Sequence, residues 1–191
     1  MSDSKIFSAL QQHNEVVEQS LAANADNLEQ YAAVLAKAFS ADCRLLLIGD
    51  GVMAGIATVI ANTFLYQSAQ QRPSLPAVAV NLDAGLATAM NNAGESACYF
   101  SCQLQAQATS GDCVCFLTTV ASPAIVSAME TARDIGCHVA VVSSCADTDW
   151  QSSSPDIILP VIDDASHRLA EAMLFLGQLL CELVEEELFG F

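Results

Sequence analysis

The chain has 191 residues, of which 53% are hydrophobic and only 15% are charged. Its 22 acidic and 6 basic residues give a net charge of −16, which repels nucleic acid phosphate and anionic lipid and argues against direct binding to either. No apolar run reaches the ~18 residues that a membrane span needs. The hydrophobic content therefore predicts one domain with a large buried core.

Eight cysteines are spread along the chain without a CxxC pair. The first residues soon give way to the polar sequence QQHNE, where a secretory signal would have an apolar stretch. We therefore expect reduced, mostly buried thiols, no zinc site and a cytoplasmic protein.

The N-terminal part of the chain has helical periodicity. Apolar residues recur at helical spacing over residues 2–22 and again over residues 26–38. Asn24 and Asp26 offer a break and a cap between these segments. The pattern predicts two helices.

The next stretch, RLLLIGDGVMAGIATVIANT at residues 44–63, organises the rest of the chain. Residues 44–48 are typical of a buried strand, Gly49 to Gly51 of a tight turn, and residues 52–67 of a helix. Strand, turn and helix in this order open a parallel α/β sheet. The N-terminus of such a helix directs its N–H groups at the turn and favours an anion there.

Further strands and helices alternate along the remainder of the chain. Strands are predicted at 76–80, leading to Asn81 and Asp83, and at 113–117, 138–142 and 156–159. Helices are predicted at 84–91, 95–108, 123–135 and 166–188, with polar loops at 68–75 and 143–155. Ser122 is expected to cap the helix that begins at Pro123. Five short strands alternating with helices predict a three-layer α/β/α fold around a five-stranded parallel sheet.

Four segments of the chain carry a resemblance to a known family. They are GDGVMAG at the first turn, RPSLPAVAVNLD at 72–83, the strand–loop–helix stretch at 111–142, and CELVEEELFG at 181–190. Together they resemble the SIS (sugar isomerase) domain, in particular phosphoheptose isomerases and the DnaA initiator-associating protein DiaA. The resemblance implies a flavodoxin-like core at residues 41–191 and oligomerisation through residues 1–40, with a homotetramer as in DiaA-like proteins.

The resemblance also implies a sugar phosphate site between two hydroxyl-rich turns at the carboxyl ends of strands. The first turn here carries Asp50, Val52 and Met53 where the family has asparagine, glycine and serine. A carboxylate at this position would repel a phosphate, so a sugar phosphate ligand is doubtful. The remodelled pocket is expected to be lined by Asp50, Gly51, Met53, Thr118, Thr119, Ser122 and Glu171.

Isomerisation of a sugar phosphate needs a general base and a general acid. The resemblance places Thr63 at the family's glutamate position and Met173 at its histidine position. Neither side chain moves a proton near neutral pH, so we expect no catalytic residue, no metal and no cofactor. Glu171 is interpreted as a surface or interface carboxylate rather than as a base.

The C-terminal helix ends in a cluster of glutamates followed by apolar residues. Leu188 and Phe189 have two interpretations, docking on a neighbouring subunit or contact with another protein. The acidic residues before them suit solubility or a basic partner.

Three functions remain open. The favoured one is a non-catalytic oligomer, similar to DiaA, that acts through protein contacts with a partner such as DnaA. The second is a phosphoheptose isomerase acting on sedoheptulose 7-phosphate, which the overall resemblance supports and Thr63, Met173 and Asp50 oppose. The third is a sensor of a sugar phosphate or another small molecule, for which Asp50 favours a neutral or cationic ligand.

Overall fold

A computed structural model describes residues 4–66, 71–80, 83–145, 150, 153–163 and 165–191. Within these residues five strands alternate with six α-helices and one short 3-10 helix at Ser96–Cys98. The strands are β1 (Leu45–Gly49), β2 (Ala77–Ala79), β3 (Cys113–Thr118), β4 (His138–Ser143) and β5 (Ile157–Pro160). The helices are α1 (Lys5–Ser40), α2 (Met53–Leu65), α3 (Ala84–Ala93), α4 (Tyr99–Gln107), α5 (Pro123–Ile135) and α6 (Ser166–Phe189).

The strands form one parallel sheet in the order β2-β1-β3-β4-β5. Every residue of β1 and β3 is buried, because helices cover the sheet on both faces. The predicted three-layer α/β/α fold with a five-stranded parallel sheet is therefore confirmed.

Alternate residues of the central strands feed two separate cores. Leu45 and Leu47 of β1 pack with α1, α2 and α6 on one face of the sheet. Leu46 and Ile48 pack with α4, α5 and Trp150 on the other face. The period of two along each strand thus divides the apolar residues between the two helical layers.

The N-terminal segment is one continuous helix of 36 residues, so the predicted break at residues 24–26 is wrong. Asn24 is buried, and its amide donates to the carbonyl oxygens of Ser20 and Pro160, both at 2.6 Å. Asn27 donates to the carbonyl oxygen of Ile158 at 3.0 Å. These amides attach α1 to strand β5, and this tertiary role replaces the capping role that the sequence pattern suggested.

The other boundaries lie close to the predicted ones. The segment at 95–108 is divided into the 3-10 helix and α4, and the remaining ends shift by at most two residues. The helix at 123–135 matches, with Ser122 as its N-cap and Gly136 in the left-handed conformation at its end. The predicted ends at Gln67 and Asn81, and parts of the loops at 68–75 and 143–155, lie outside the described residues.

In the described ranges, no helix combines the length and the apolar character that crossing a bilayer requires.

Substitution of Gly49 by alanine is expected to destabilise the fold strongly. A Cβ atom at Gly49 would overlap the backbone carbonyl of Met53 at the start of α2. Since this neighbour is backbone, the strand and the helix must move apart. We expect the free energy of unfolding to fall by about 3 kcal/mol, as measured by urea denaturation.

Gly55→Ala is the matched control, because a Cβ atom at Gly55 meets no atom within 4 Å. Alanine favours the helix over glycine, so this variant should gain up to about 1 kcal/mol. Equal stabilities of the two variants would contradict the close packing of β1 against α2.

Candidate ligand-binding site

Two turns meet at the carboxyl ends of the central strands. The first follows β1 and contains Asp50 and Gly51, and the second follows β3 and runs from Thr119 to Ser122. The backbone N–H of Asp50 donates to the carbonyl oxygen of Leu117 at 3.0 Å, which fixes the two turns side by side. This edge is where open α/β sheets bind ligands.

A hydrogen bond joins the two turns through their side chains. The Ser122 hydroxyl donates to Oδ2 of Asp50 at 3.1 Å and accepts from the backbone N–H of Ile125 at 3.4 Å. Ser122 therefore caps α5 and at the same time solvates the carboxylate. Asp50 is a turn residue and not the cap of α2, whose N-cap position is occupied by Val52.

Several other residues predicted for the pocket have structural roles. Thr118 is fully buried, and its hydroxyl donates to the carbonyl oxygen of Val120 at 2.7 Å. Met53 is fully buried in the core beneath the first turn. Gly51 is exposed with a φ of 57°, which serves the turn geometry. The half-buried Thr119 makes no side-chain hydrogen bond to the part of the chain that is described.

The chemistry of this edge does not suit an anion. The Asp50 carboxylate already lies between the starts of α2 and α5, where the helix dipoles favour negative charge. Pro123 contributes no N–H to the start of α5. The hydroxyls of Thr118 and Ser122 are directed at protein acceptors. A phosphate approaching here would meet the Asp50 carboxylate and two hydroxyls that are already engaged.

A cavity of about 350 Å³ opens beside Asp50. Of the residues predicted to line the pocket, only Asp50 is among its described walls. The other described wall residues come from α3, the 3-10 helix, α4 and α5: Ala87, Asn91, Ser96, Tyr99, Phe100 and Ala124. Sequence reasoning missed this wall because no motif marks it, and helical periodicity at 84–108 indicates burial rather than a site.

Comparison with known proteins identifies the family. The family model for the SIS domain matches residues 10–144. A phosphoheptose isomerase of Thermodesulfovibrio yellowstonii is 30% identical over 188 residues, which are 98% of this chain and 93% of that protein. The chain belongs to the SIS domain family.

Two solved structures agree with this assignment at the level of the fold. The phosphoheptose isomerase GmhA from Neisseria gonorrhoeae superposes with a TM-score of 0.83 at 20% identity, over 95% of this chain and 97% of that one. A phosphoheptose isomerase from Francisella tularensis gives a TM-score of 0.80 at 23% identity, over 96% and 100% of the two chains.

The two positions that the resemblance assigns to proton transfer hold structural side chains in this SIS domain. The hydroxyl of Thr63 donates to the carbonyl oxygen of Val59 within α2, at 3.1 Å. Met173 is fully buried among the apolar residues of α2 and α6. Neither residue lines the cavity beside Asp50.

Arg72 organises the region beyond Thr63. Its guanidinium is buried, forms an ion pair with Glu185 of α6, and donates to the carbonyl oxygens of Thr63 and Phe64 at the end of α2. Cys181 lies beside this pair, and burial raises the pKa of its thiol to about 12. This cluster therefore joins α2 to α6 and contains no reactive thiolate near neutral pH.

Of the other seven thiols, three are buried, three are half-buried and Cys98 is exposed. Burial raises the pKa of Cys113 and Cys115 to about 12 and that of Cys137 to about 11. All eight cysteines are free. In the described part of this SIS domain, no group of three or more acidic, histidine or cysteine side chains is placed to hold a metal ion.

Glu171 lies away from the cavity, in an ion-pair cluster between α1 and α6. Its Oε2 is 2.8 Å from Nδ1 of His13 and accepts from Nη1 of Arg168 at 2.6 Å. The hydrogen bond from His13, followed by the contacts with Arg168, holds the pKa of Glu171 below its usual range. A lowered pKa makes the carboxylate a weaker base, so the cluster attaches α1 to α6 rather than preparing proton transfer.

Substitution of Glu171 by glutamine should make the melting temperature depend on pH in a different way from wild type. A carboxyl group with a lowered pKa contributes stability above its unfolded pKa, and the contribution is lost as the pH falls through the folded value. We expect wild type to melt above Glu171→Gln near neutral pH and the difference to disappear in acid. Thermal unfolding between about pH 7 and about pH 3 measures this.

Glu182→Gln is the control, since Glu182 is exposed on the same helix and has no ion pair in the described structure. Its melting difference from wild type should be small at every pH. A wild-type advantage over Glu171→Gln that stays constant in acid would contradict the assignment.

Proposed function

We propose that this SIS domain does not isomerise sugar phosphates and acts as an oligomeric scaffold through protein contacts. The observation that carries the proposal is the Asp50 carboxylate, hydrogen-bonded to Ser122 at the place where the resemblance implies a phosphate. The starts of α2 and α5 favour a negative charge at this edge, and the Asp50 carboxylate already supplies one.

The electrostatic cost of binding a phosphate beside Asp50 is large. At 5 Å and an effective dielectric constant near 20, two unit charges repel by about 3 kcal/mol. A phosphate dianion would meet roughly twice that repulsion. Since the Ser122 hydroxyl is already directed at Asp50, few donors offset the cost.

Isomerisation of a sugar phosphate needs a general base and a general acid at its reacting carbons. The base and acid positions implied by the resemblance hold Thr63 and Met173, and neither titrates near neutral pH. Glu171 is engaged with His13 and Arg168. The geometry therefore supports a scaffold better than an isomerase.

The exposed apolar end of α1 supports self-association. Ile6, Phe7 and Leu10 expose 76%, 69% and 54% of their surface in the isolated chain. Large apolar side chains in such a row are typical of a subunit interface. We propose that they pack against other copies of the chain, and the resemblance to DiaA favours a homotetramer.

The C-terminal end of α6 is the proposed contact for another protein. Phe189 and Phe191 are partly exposed, and their rings stack with centroids 5.7 Å apart. Leu188 is half-buried and packs against the core, so it supports the aromatic pair more than it offers surface of its own. Exposed Glu182, Glu186 and Glu187 favour a basic partner surface, and the resemblance to DiaA suggests DnaA.

A phosphoheptose isomerase is the second candidate. The relative and the two solved structures described above, which match over nearly the whole chain, bear that name. This observation supports common ancestry and a shared fold. The two candidate functions differ in what they require of the two turns and of residues 63 and 173.

The first experiment measures turnover and binding of sedoheptulose 7-phosphate. We expect no isomerisation by the purified chain and no thermal stabilisation by this or other sugar phosphates. A ligand at ~100 times its Kd would stabilise the fold by about 2.7 kcal/mol, so binding would be seen easily. A catalytically active phosphoheptose isomerase measured in parallel validates the assay.

Turnover by the wild-type chain, lost on substitution of Asp50 by alanine, would overturn the proposal in favour of the isomerase. Thermal stabilisation by a sugar phosphate without turnover would contradict the argument that the Asp50 carboxylate repels a phosphate.

Charges placed on the exposed end of α1 should disrupt the oligomer. The double variant Phe7→Glu, Leu10→Glu is expected to give a smaller species than wild type by light scattering. Gln12→Glu, an exposed position on the same helix, is the control and should leave the assembly unchanged. A monomeric wild type, or a double variant of unchanged mass, would contradict the interface.

Removal of residues 188–191 should weaken capture of the partner. Immobilised full-length chain is expected to retain purified DnaA, and a chain ending at residue 187 to retain much less. Circular dichroism checks that the truncated chain is folded. Equal retention by both chains would disprove the C-terminal contact, and no retention by either would exclude DnaA as the partner.

A further inference from the structure

The cavity beside Asp50 combines one negative charge with an aromatic wall. Among its described wall residues, Asp50 is the only acidic one, and no lysine, arginine or histidine is present. Tyr99 and Phe100 form the aromatic part, with ring centroids 5.0 Å apart in a T-shaped pair. A carboxylate and aromatic rings lining one cavity attract cations and disfavour anions.

The carboxylate of Asp50 has capacity for a further donor. Its Oδ2 accepts from Ser122, and the described structure gives it no other side-chain hydrogen bond or ion pair. A carboxylate offers about four acceptor positions. A partly buried carboxylate with unused acceptors is stabilised by an incoming cationic donor.

The aromatic wall is held in place by its own contacts. The Tyr99 hydroxyl accepts from the backbone N–H of Asp83 at 2.6 Å, and both rings are almost entirely buried. The hydroxyl is therefore engaged at the start of α3. The small exposed parts of the two rings make this side of the cavity apolar, which suits the C–H groups of a small ring.

Two neutral polar side chains, Asn91 and Ser96, also line the cavity. The Ser96 hydroxyl donates to Oδ1 of Asn91 at 3.3 Å, which leaves the Asn91 amide N–H groups to bind other acceptors. These neutral donors and acceptors suit hydroxyl groups. The volume of about 350 Å³ lies at the small end of ligand pockets and suits a molecule the size of a monosaccharide.

We propose that this cavity binds a small hydroxylated organic cation, an amino sugar without a phosphate, with its ammonium group on Asp50. The ring packs on Tyr99 and Phe100, and the hydroxyls contact Asn91 and Ser96. This binding activity goes beyond the proposed scaffold, which requires no ligand.

The test is calorimetric titration of the wild-type chain with three probes that differ by one group each. Glucosamine carries the ammonium group, glucose lacks it, and glucosamine 6-phosphate adds a phosphate. Glucosamine should bind more tightly than glucose, because a charge-assisted hydrogen bond to Asp50 is worth roughly ten-fold or more in affinity. Glucosamine 6-phosphate should bind more weakly than glucosamine.

Asp50→Asn should lower the affinity for glucosamine to that for glucose. Asp134→Asn is the matched control, because it removes the same charge from an exposed position near the end of α5. Wild-type chain labelled with nitrogen-15 provides a readout that needs no variant. Glucosamine should shift amide resonances at Asp50, Asn91, Ser96 and Tyr99.

Absence of glucosamine binding, or equal affinities in wild type and Asp50→Asn, would overturn the assignment. Tighter binding of glucosamine 6-phosphate than of glucosamine would show a phosphate site instead. These outcomes are independent of the turnover of sedoheptulose 7-phosphate and of partner capture, so failure here is distinguishable from failure of the scaffold proposal.

Discussion

Burial of the central strands on both faces is the constraint on which the rest of this structure depends. β1 and β3 are buried along their whole length, so they carry apolar side chains and leave polar chemistry to their ends. The two turns after these strands therefore decide what the sheet can bind. The close contact of Gly49 with the start of α2 fixes the first turn, and the cap at Ser122 fixes the second.

The hydrogen bond between Ser122 and Asp50 joins the two turns at the edge where open α/β sheets bind ligands. It holds the two turns together and fixes the position of the Asp50 carboxylate. The chain has the fold of the SIS domain family, and the Asp50 carboxylate is part of this edge. Likeness in fold and likeness in reaction are therefore separate questions for this chain.

The fold could be predicted from the sequence because its determinants are local. Short apolar runs, glycine turns and the Ser122–Pro123 cap each specify an element without reference to distant residues. The break predicted near Asn24 was wrong because the side chain finds its partner at Pro160, far along the chain. The aromatic wall of the cavity was missed for the same reason, since packing of α3 and α4 brings Tyr99 and Asn91 near Asp50. Of the residues predicted for the pocket, Asp50 alone lines the cavity, and their roles in binding remain predictions.

The attachment of α1 to β5 and α6 affects how the chain folds during translation. This helix precedes the groups that hold it in place, at Ile158, Pro160 and Glu171, so it is synthesised before them. At ~1.5 Å per residue, its 36 residues extend over about 54 Å, and the part of its apolar face that packs on α6 lacks that partner until α6 is made. Contacts between distant parts of a chain form slowly and leave apolar surface open to other molecules. The nascent chain is therefore the stage at which this domain most needs protection from aggregation.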